Sequence, residues 1–99
     1  MLNINKSREE NRLTIALKGR LDTTSSPELE KCLNENISGV NELVMDFEKL
    51  DYISSAGLRV LLSAQKIMNR QGSMKLCHVS ESIMEILEVT GFADILTIE

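Results

Sequence analysis

The segment 42-ELVMDFEKLDYISSAGLRVLL-62 joins an apolar run to leucines at helical spacing through an abrupt change of pattern. Residues 43-LVMDF-47 are nearly continuous in apolar character, as in a central strand covered on both faces. From Leu58 onward the leucines fall at helical spacing, with Leu58, Leu61, Leu62, Gln65 and Met68 along one side and Val60, Ala64 and Ile67 widening it. The join, Ser54-Ser55-Ala56-Gly57, is made of small residues, two of them hydroxylated. If the helix starts near Ala56, Ser55 is its N-cap and Ser54 lies just outside.

Working outward, Leu2 and Ile4, then Leu13, Ile15 and Leu17, alternate with polar or small residues around a polar turn at 7-SREEN-11. Two strands in an antiparallel hairpin are expected. A first helix follows, with Ser26 as N-cap, Pro27 at the first helical position, an apolar face of Leu29, Cys32, Leu33 and Ile37, and Gly39 as its stop. Gln71-Gly72 closes the second helix, and 74-MKLCHV-79 reads as a strand. Ser80 caps a third helix with Ile83, Ile86 and Leu87 on one face, ended by Gly91. The tail 92-FADILTIE-99 is apolar enough to dock, as either a strand or a helical turn. The order β-β-α-β-α-β-α requires crossovers. The expected fold is therefore α/β: one domain over residues 1–99, with a mixed, mostly parallel sheet of four to five strands and helices packed against it.

Composition narrows the function. Ninety-nine residues suffice for one core, 42% hydrophobic and 26% charged, but only three aromatics are present, Phe47, Tyr52 and Phe92. The net charge of −4 and the scarcity of stacking platforms count against direct nucleic-acid binding. The apolar runs are too short to insert in a membrane and no leader pattern opens the chain, so a cytoplasmic protein is expected. Cys32 and Cys77 lie far apart and His78, placed in a strand, is the sole histidine; free thiols and no metal site are expected. The sequence has no phosphate loop, no dinucleotide fingerprint and no nucleophile elbow around either serine. No enzymatic activity and no cofactor are expected.

The serine pair has two readings. A serine cap needs only an orphan N–H to accept from, worth about 1 kcal/mol, and one serine is thereby explained. Three details point further. The loop follows a buried strand, the end where sites collect in α/β sheets. A phosphoryl group there would meet the positive end of a helix. Arg59 also sits in the first turn, where the dipole disfavours a cation; it is either a solvated side chain or one that faces an anion. Asp22, ending 19-GRLD-22, either caps its own loop or forms an acidic rim to the same surface.

The combination of 19-GRLD-22, 43-LVMDFEKLDYISSAGLRVLL-62 and 91-GFADIL-96 resembles the STAS-domain family of bacterial anti-sigma factor antagonists, over essentially the whole chain. The resemblance implies a regulator without catalytic activity that binds an anti-sigma factor, typically a switch-type serine kinase, when unphosphorylated. It further implies that kinase phosphorylation at the start of the second helix turns binding off and that a PP2C-like phosphatase restores it. Many members carry Asp-Ser-Ser-Gly or Asp-Ser-Thr-Gly before the helix leucine. Aligned on Gly57 and Leu58, Ser54 takes the aspartate's place, Ser55 the first hydroxyl position and Ala56 the second. Ser55 is the implied phosphoacceptor, with Ser54 as runner-up. The implied partner surface comprises Asp22, Thr23, Ser54, Ser55, Ala56, Gly57 and Arg59. The alternative is a non-switching STAS scaffold or a ligand-binding subunit of a larger assembly, in which the serines only cap the helix.

Overall fold

The computed structural model describes residues 2–99. Strands β1 (Leu2–Glu9), β2 (Arg12–Leu21), β3 (Glu42–Ile53) and β4 (Ser73–Cys77) form one sheet in the order β1-β2-β3-β4. Helix α1 (Ser26–Asn36) connects β2 to β3, α2 (Ser55–Gln71) connects β3 to β4, and α3 (Glu81–Val89) follows β4. The β1–β2 pair is antiparallel and the other two pairs are parallel, as crossover connections demand. The α/β architecture read from the sequence is thus the observed one.

Side-chain alternation places the core on one face of the sheet. Leu13, Ile15 and Leu17 of β2, Leu43, Met45 and Phe47 of β3, and Met74 and Leu76 of β4 are all buried there. Against them pack Leu29 and Leu33 of α1, Leu58, Leu61, Ala64 and Met68 of α2, and Ile83 and Leu87 of α3. Each fully buried leucine contributes about 1.5–3 kcal/mol relative to exposure. The opposite face carries Thr14, Ala16, Lys18, Asp46, Lys75 and Cys77, all half-buried or exposed.

Local differences from the sequence reading have physical causes. The β1–β2 turn is confined to Glu10-Asn11, with Glu10 at φ 54°, and the rest of 7-SREEN-11 extends the strands. Strand β3 runs on to Ile53, well past 43–47, because its charged residues Glu48, Lys49 and Asp51 are exposed and two register irregularities let the pairing with β2 continue. The N-cap position of α1 is Ser25, not Ser26, with no hydrogen bond from the helix to its side chain, and the helix ends at Asn36, before Gly39. Strand β4 stops at Cys77, and His78 lies beyond it with φ 56°, so the histidine is not in a strand. The tail forms a short 3-10 turn over Phe92–Asp94, then runs parallel to β4, with Leu76 N–H donating to Thr97 O and Glu99 N–H to Leu76 O. These bonds cover part of what would otherwise be an open sheet edge.

Candidate functional site

Helix α2 begins at the C-terminal end of β3, and its first turn is fixed by neighbours on two elements. Ser54 N–H donates to Leu21 O (2.8 Å), tying the end of β3 to the end of β2. The Ser54 hydroxyl accepts from Gly57 N–H at 3.4 Å, so Ser54, not Ser55, is the N-cap. Ser55 is the first helical residue and its side chain is exposed. The N–H groups of Ser55 and Ala56 find no acceptor among the described residues.

Gly57 explains why 19-GRLD-22 and the serine segment belong together. It is buried, and a Cβ there would stand 2.7 Å from Leu21 Cγ, 2.9 Å from Leu21 Cδ2 and 3.0 Å from Ile53 Cγ1. Only glycine lets the first turn of α2 settle on Leu21, which is itself fully buried. The loop after β2 is thereby held beside the start of α2.

Asp22 organises that loop. Its Oδ1 accepts from the backbone N–H groups of Thr24 (3.1 Å) and Ser25 (3.0 Å), and the Ser25 hydroxyl shares its one proton between that oxygen (3.1 Å) and Arg20 O (2.7 Å). The hydrogen bonds from Ser25, backbone first and then hydroxyl, hold the Asp22 carboxyl below its ordinary range, helped by Thr24 N–H and the Arg20 charge. Arg20 also lies over the Tyr52 ring, 4.3 Å from its centroid. The loop-capping role expected of Asp22 is what its oxygens perform.

Thr23 is exposed at the loop tip. It joins Ser26, Pro27 and Glu30 of the α1 start and Ala56, Arg59 and Val60 of α2 in lining a shallow groove of about 380 Å³. Arg59 is exposed and makes no ion pair among the described residues. Of the residues expected at a partner surface, Thr23, Ala56 and Arg59 share this groove, Ser55 is exposed in the same first turn, and Asp22 and Gly57 hold the backbone beneath.

A second cluster was missed by the sequence reading. Asp46 pairs in register with Cys77 across the β3–β4 ladder, and His78 Nδ1 lies 3.0 Å from Asp46 Oδ1. Burial pushes the Asp46 carboxyl up, but the hydrogen bonds from Glu48 N–H and His78 outweigh it and leave it below the ordinary range. The bond to Asp46 and its charge raise His78, and burial followed by the Asp46 charge raises Cys77. The one available signal was Cys77-His78 adjacency; the register to Asp46 needs the fold.

Among the described residues, no helix is long and apolar enough to cross a membrane. Comparison with known proteins gives the class directly: residues 3–99 match the STAS domain model, and the chain belongs to the STAS domain family. Among its relatives, the Bordetella bronchiseptica protein named putative anti-sigma factor antagonist BtrV is 36% identical over 88 residues, covering 87% of this chain and 76% of that protein. The anti-sigma-B factor antagonist of Bacillus subtilis is 29% identical over 98 residues, covering 98% of this chain and 90% of the relative. The Bacillus anti-sigma factor antagonist SpoIIAA has the same fold in its unphosphorylated form, with a TM-score of 0.78 at 17% identity, covering 98% of this chain and 87% of that one. Its phosphorylated form superposes as well, with a TM-score of 0.77 at 17% identity over 98% of this chain and 91% of that one.

Proposed function

We propose that this protein is an anti-sigma factor antagonist: a binding module that sequesters an anti-sigma factor in its unphosphorylated state. In this reading the surface is built by Asp22, Thr23, Ser54, Ser55, Ala56, Gly57 and Arg59, the partner is a switch-type serine kinase, and Ser55 is its phosphoacceptor. A PP2C-like phosphatase resets the switch. The observation that carries the reading is the division between the two serines. Ser54 Oγ is engaged at Gly57 N–H, whereas Ser55 Oγ is exposed on the first residue of α2 and forms no hydrogen bond among the described residues.

The physics supports a switch in binding. Phosphate adds roughly −1.5 to −2 charges. It would sit beside a groove edged by small residues, so a partner that packs closely on Ala56 would meet both bulk and a desolvation cost. The relatives' names support the assignment to anti-sigma factor antagonism, and the SpoIIAA pair supports phosphorylation as compatible with this fold.

The test is incubation with the cognate anti-sigma factor kinase and ATP, followed by intact-mass measurement and peptide mapping. One phosphate on Ser55, absent in Ser55→Ala and retained in Ser54→Ala, is expected. Ser55→Asp is expected to bind the kinase at least about tenfold more weakly than the parent, or about 1.4 kcal/mol. Equal binding of Ser55→Asp and parent would sink the switch and leave the non-switching scaffold.

A further inference from the structure

The face of the sheet away from the helices carries a convergence of three unlike donors. Asp46 offers a carboxylate, Cys77 a thiol and His78 an imidazole, and their ligating atoms all lie within 4.8 Å of one another. Two features of the backbone bring them together. The parallel β3–β4 register sets Cys77 directly beside Asp46. Consecutive strand residues point to opposite faces, so a His78 continuing β4 would turn away from Cys77. Instead His78 takes φ 56°, a left-handed conformation uncommon for a residue with a Cβ, and its ring returns to the Asp46 side.

We propose that Asp46, Cys77 and His78 form a binding site for a borderline divalent transition ion, Zn²⁺ being the best match. The donor set selects the class. Ca²⁺ and Mg²⁺ take oxygen ligands almost alone, whereas a mixed O, N and S set suits zinc and its neighbours. In a tetrahedral zinc site with bonds of about 2.0–2.3 Å, ligand atoms stand about 3.3–3.6 Å apart. The observed 3.0 Å between His78 Nδ1 and Asp46 Oδ1 and the 4.8 Å limit for the set bracket that spacing.

The ion displaces the proton between Nδ1 and Oδ1, which leaves to solvent. His78 binds as neutral imidazole with its remaining hydrogen on Nε2, and Cys77 releases its thiol proton to solvent as the metal–sulfur bond forms. Asp46 Oδ1 is already oriented by Glu48 N–H at 2.9 Å, a supporting bond of the kind that fixes ligand geometry. Three protein ligands leave a fourth position open. Of the three ligands, Asp46 alone also lines a cleft of about 540 Å³ with Asn3, Asn5, Ala16, Lys18 and Lys49. The site lies on the face opposite the helices, roughly 25 Å along β3 from the serines, so it stands or falls independently of the phosphorylation switch.

Titration of the reduced, chelator-treated full chain with Co²⁺ tests this. One equivalent is expected to bind with a thiolate-to-cobalt charge-transfer band, which Zn²⁺ then abolishes. Cys77→Ser and Cys77→Ala should lose the band, and Cys32→Ser should keep it. Asp46→Asn, and His78→Gly, which tolerates the positive φ, should each lower Zn²⁺ affinity more than about tenfold. No charge-transfer band from the folded parent at excess Co²⁺ overturns the proposal, as does a band that survives loss of Cys77 and disappears with Cys32.

Discussion

Replacing Gly57 by alanine sets two effects of known sign against each other. In a helix, alanine is favoured over glycine by about 1 kcal/mol, and less in the first turn, where only part of the helical constraint applies. Against this, the new Cβ would approach Leu21 Cγ to 2.7 Å and Ile53 Cγ1 to 3.0 Å. Carbon atoms prefer about 3.5–4.0 Å, so roughly 0.8 Å of overlap with Leu21 has to be relieved. Leu21 and Ile53 are 0% and 2% exposed, which leaves neither an empty space to move into. Overpacking of this kind costs about 1–3 kcal/mol. The net expectation is a destabilisation of about 1–2 kcal/mol, or a Tm lowered by roughly 4–16 °C for a domain this small.

Urea denaturation of Gly57→Ala, Leu21→Ala and the double variant isolates the contact. Leu21→Ala alone should cost about 2–5 kcal/mol through its cavity. Because it removes the atoms that the new Cβ would strike, the double variant should be less destabilised than the sum of the two by at least about 0.5 kcal/mol. Strict additivity, or a Gly57→Ala protein more stable than its parent, would show that the close approach of α2 to Leu21 does not set this glycine.

Gly72→Ala should be worse, by at least about 2 kcal/mol in urea unfolding, because its Cβ would overlap the backbone carbonyl of Asn41 and not a side chain able to rotate. Ser54→Ala should lose about 0.5–1 kcal/mol on the same measurement, at the low end for a cap because the bond to Gly57 N–H is long. Ser55→Asp should leave the thermal midpoint unchanged or raise it, since an anion at the start of α2 meets the positive end of the dipole. Asp22 should titrate below the ordinary carboxylate range by NMR. Its folded-state depression means that its contribution is present above the unfolded pKa and disappears as pH falls through the folded one, and Asp22→Asn should flatten that part of the acid-unfolding curve.

The sequence patterns that proved legible were those in which one residue decides one local geometry. Apolar alternation located β1 and β2, leucine spacing located α2, and Ser80, accepting from Ile83 N–H at 3.3 Å, capped α3 as read. Where two adjacent residues could play one role, the pattern failed by a single position. Ser25 occupies the N-cap position of α1 in place of Ser26, without a side-chain cap bond, and Ser54 caps α2 instead of Ser55, because the choice depends on where the preceding strand releases the chain. In α2 that point is set by Ser54 N–H bonding Leu21 O, a contact between residues 33 positions apart. The full length of β3 was hidden for a related reason: Glu48, Lys49 and Asp51 look like loop, yet they are exposed positions on a strand with irregular register. Asp46, Cys77 and His78 could not be assembled at all without the β3–β4 pairing and the positive φ at His78.

The one-residue shift at α2 changes what a modification of Ser55 would do to the helix. As an N-cap, a Ser55 hydroxyl would be engaged with a backbone N–H, and phosphorylating it would cost the helix its cap as well as changing its surface. With Ser54 holding the cap, those two consequences separate. A charge on Ser55 would find the unpaired N–H groups of Ser55 and Ala56 nearby and the favourable end of the helix dipole, together worth about 0.3–1 kcal/mol to the fold. The same charge would stand next to the groove shared by Thr23, Ala56 and Arg59, the surface proposed to receive the partner. A modification there would therefore act on the proposed interface while the fold beneath it, pinned by Gly57 on Leu21, stays in place.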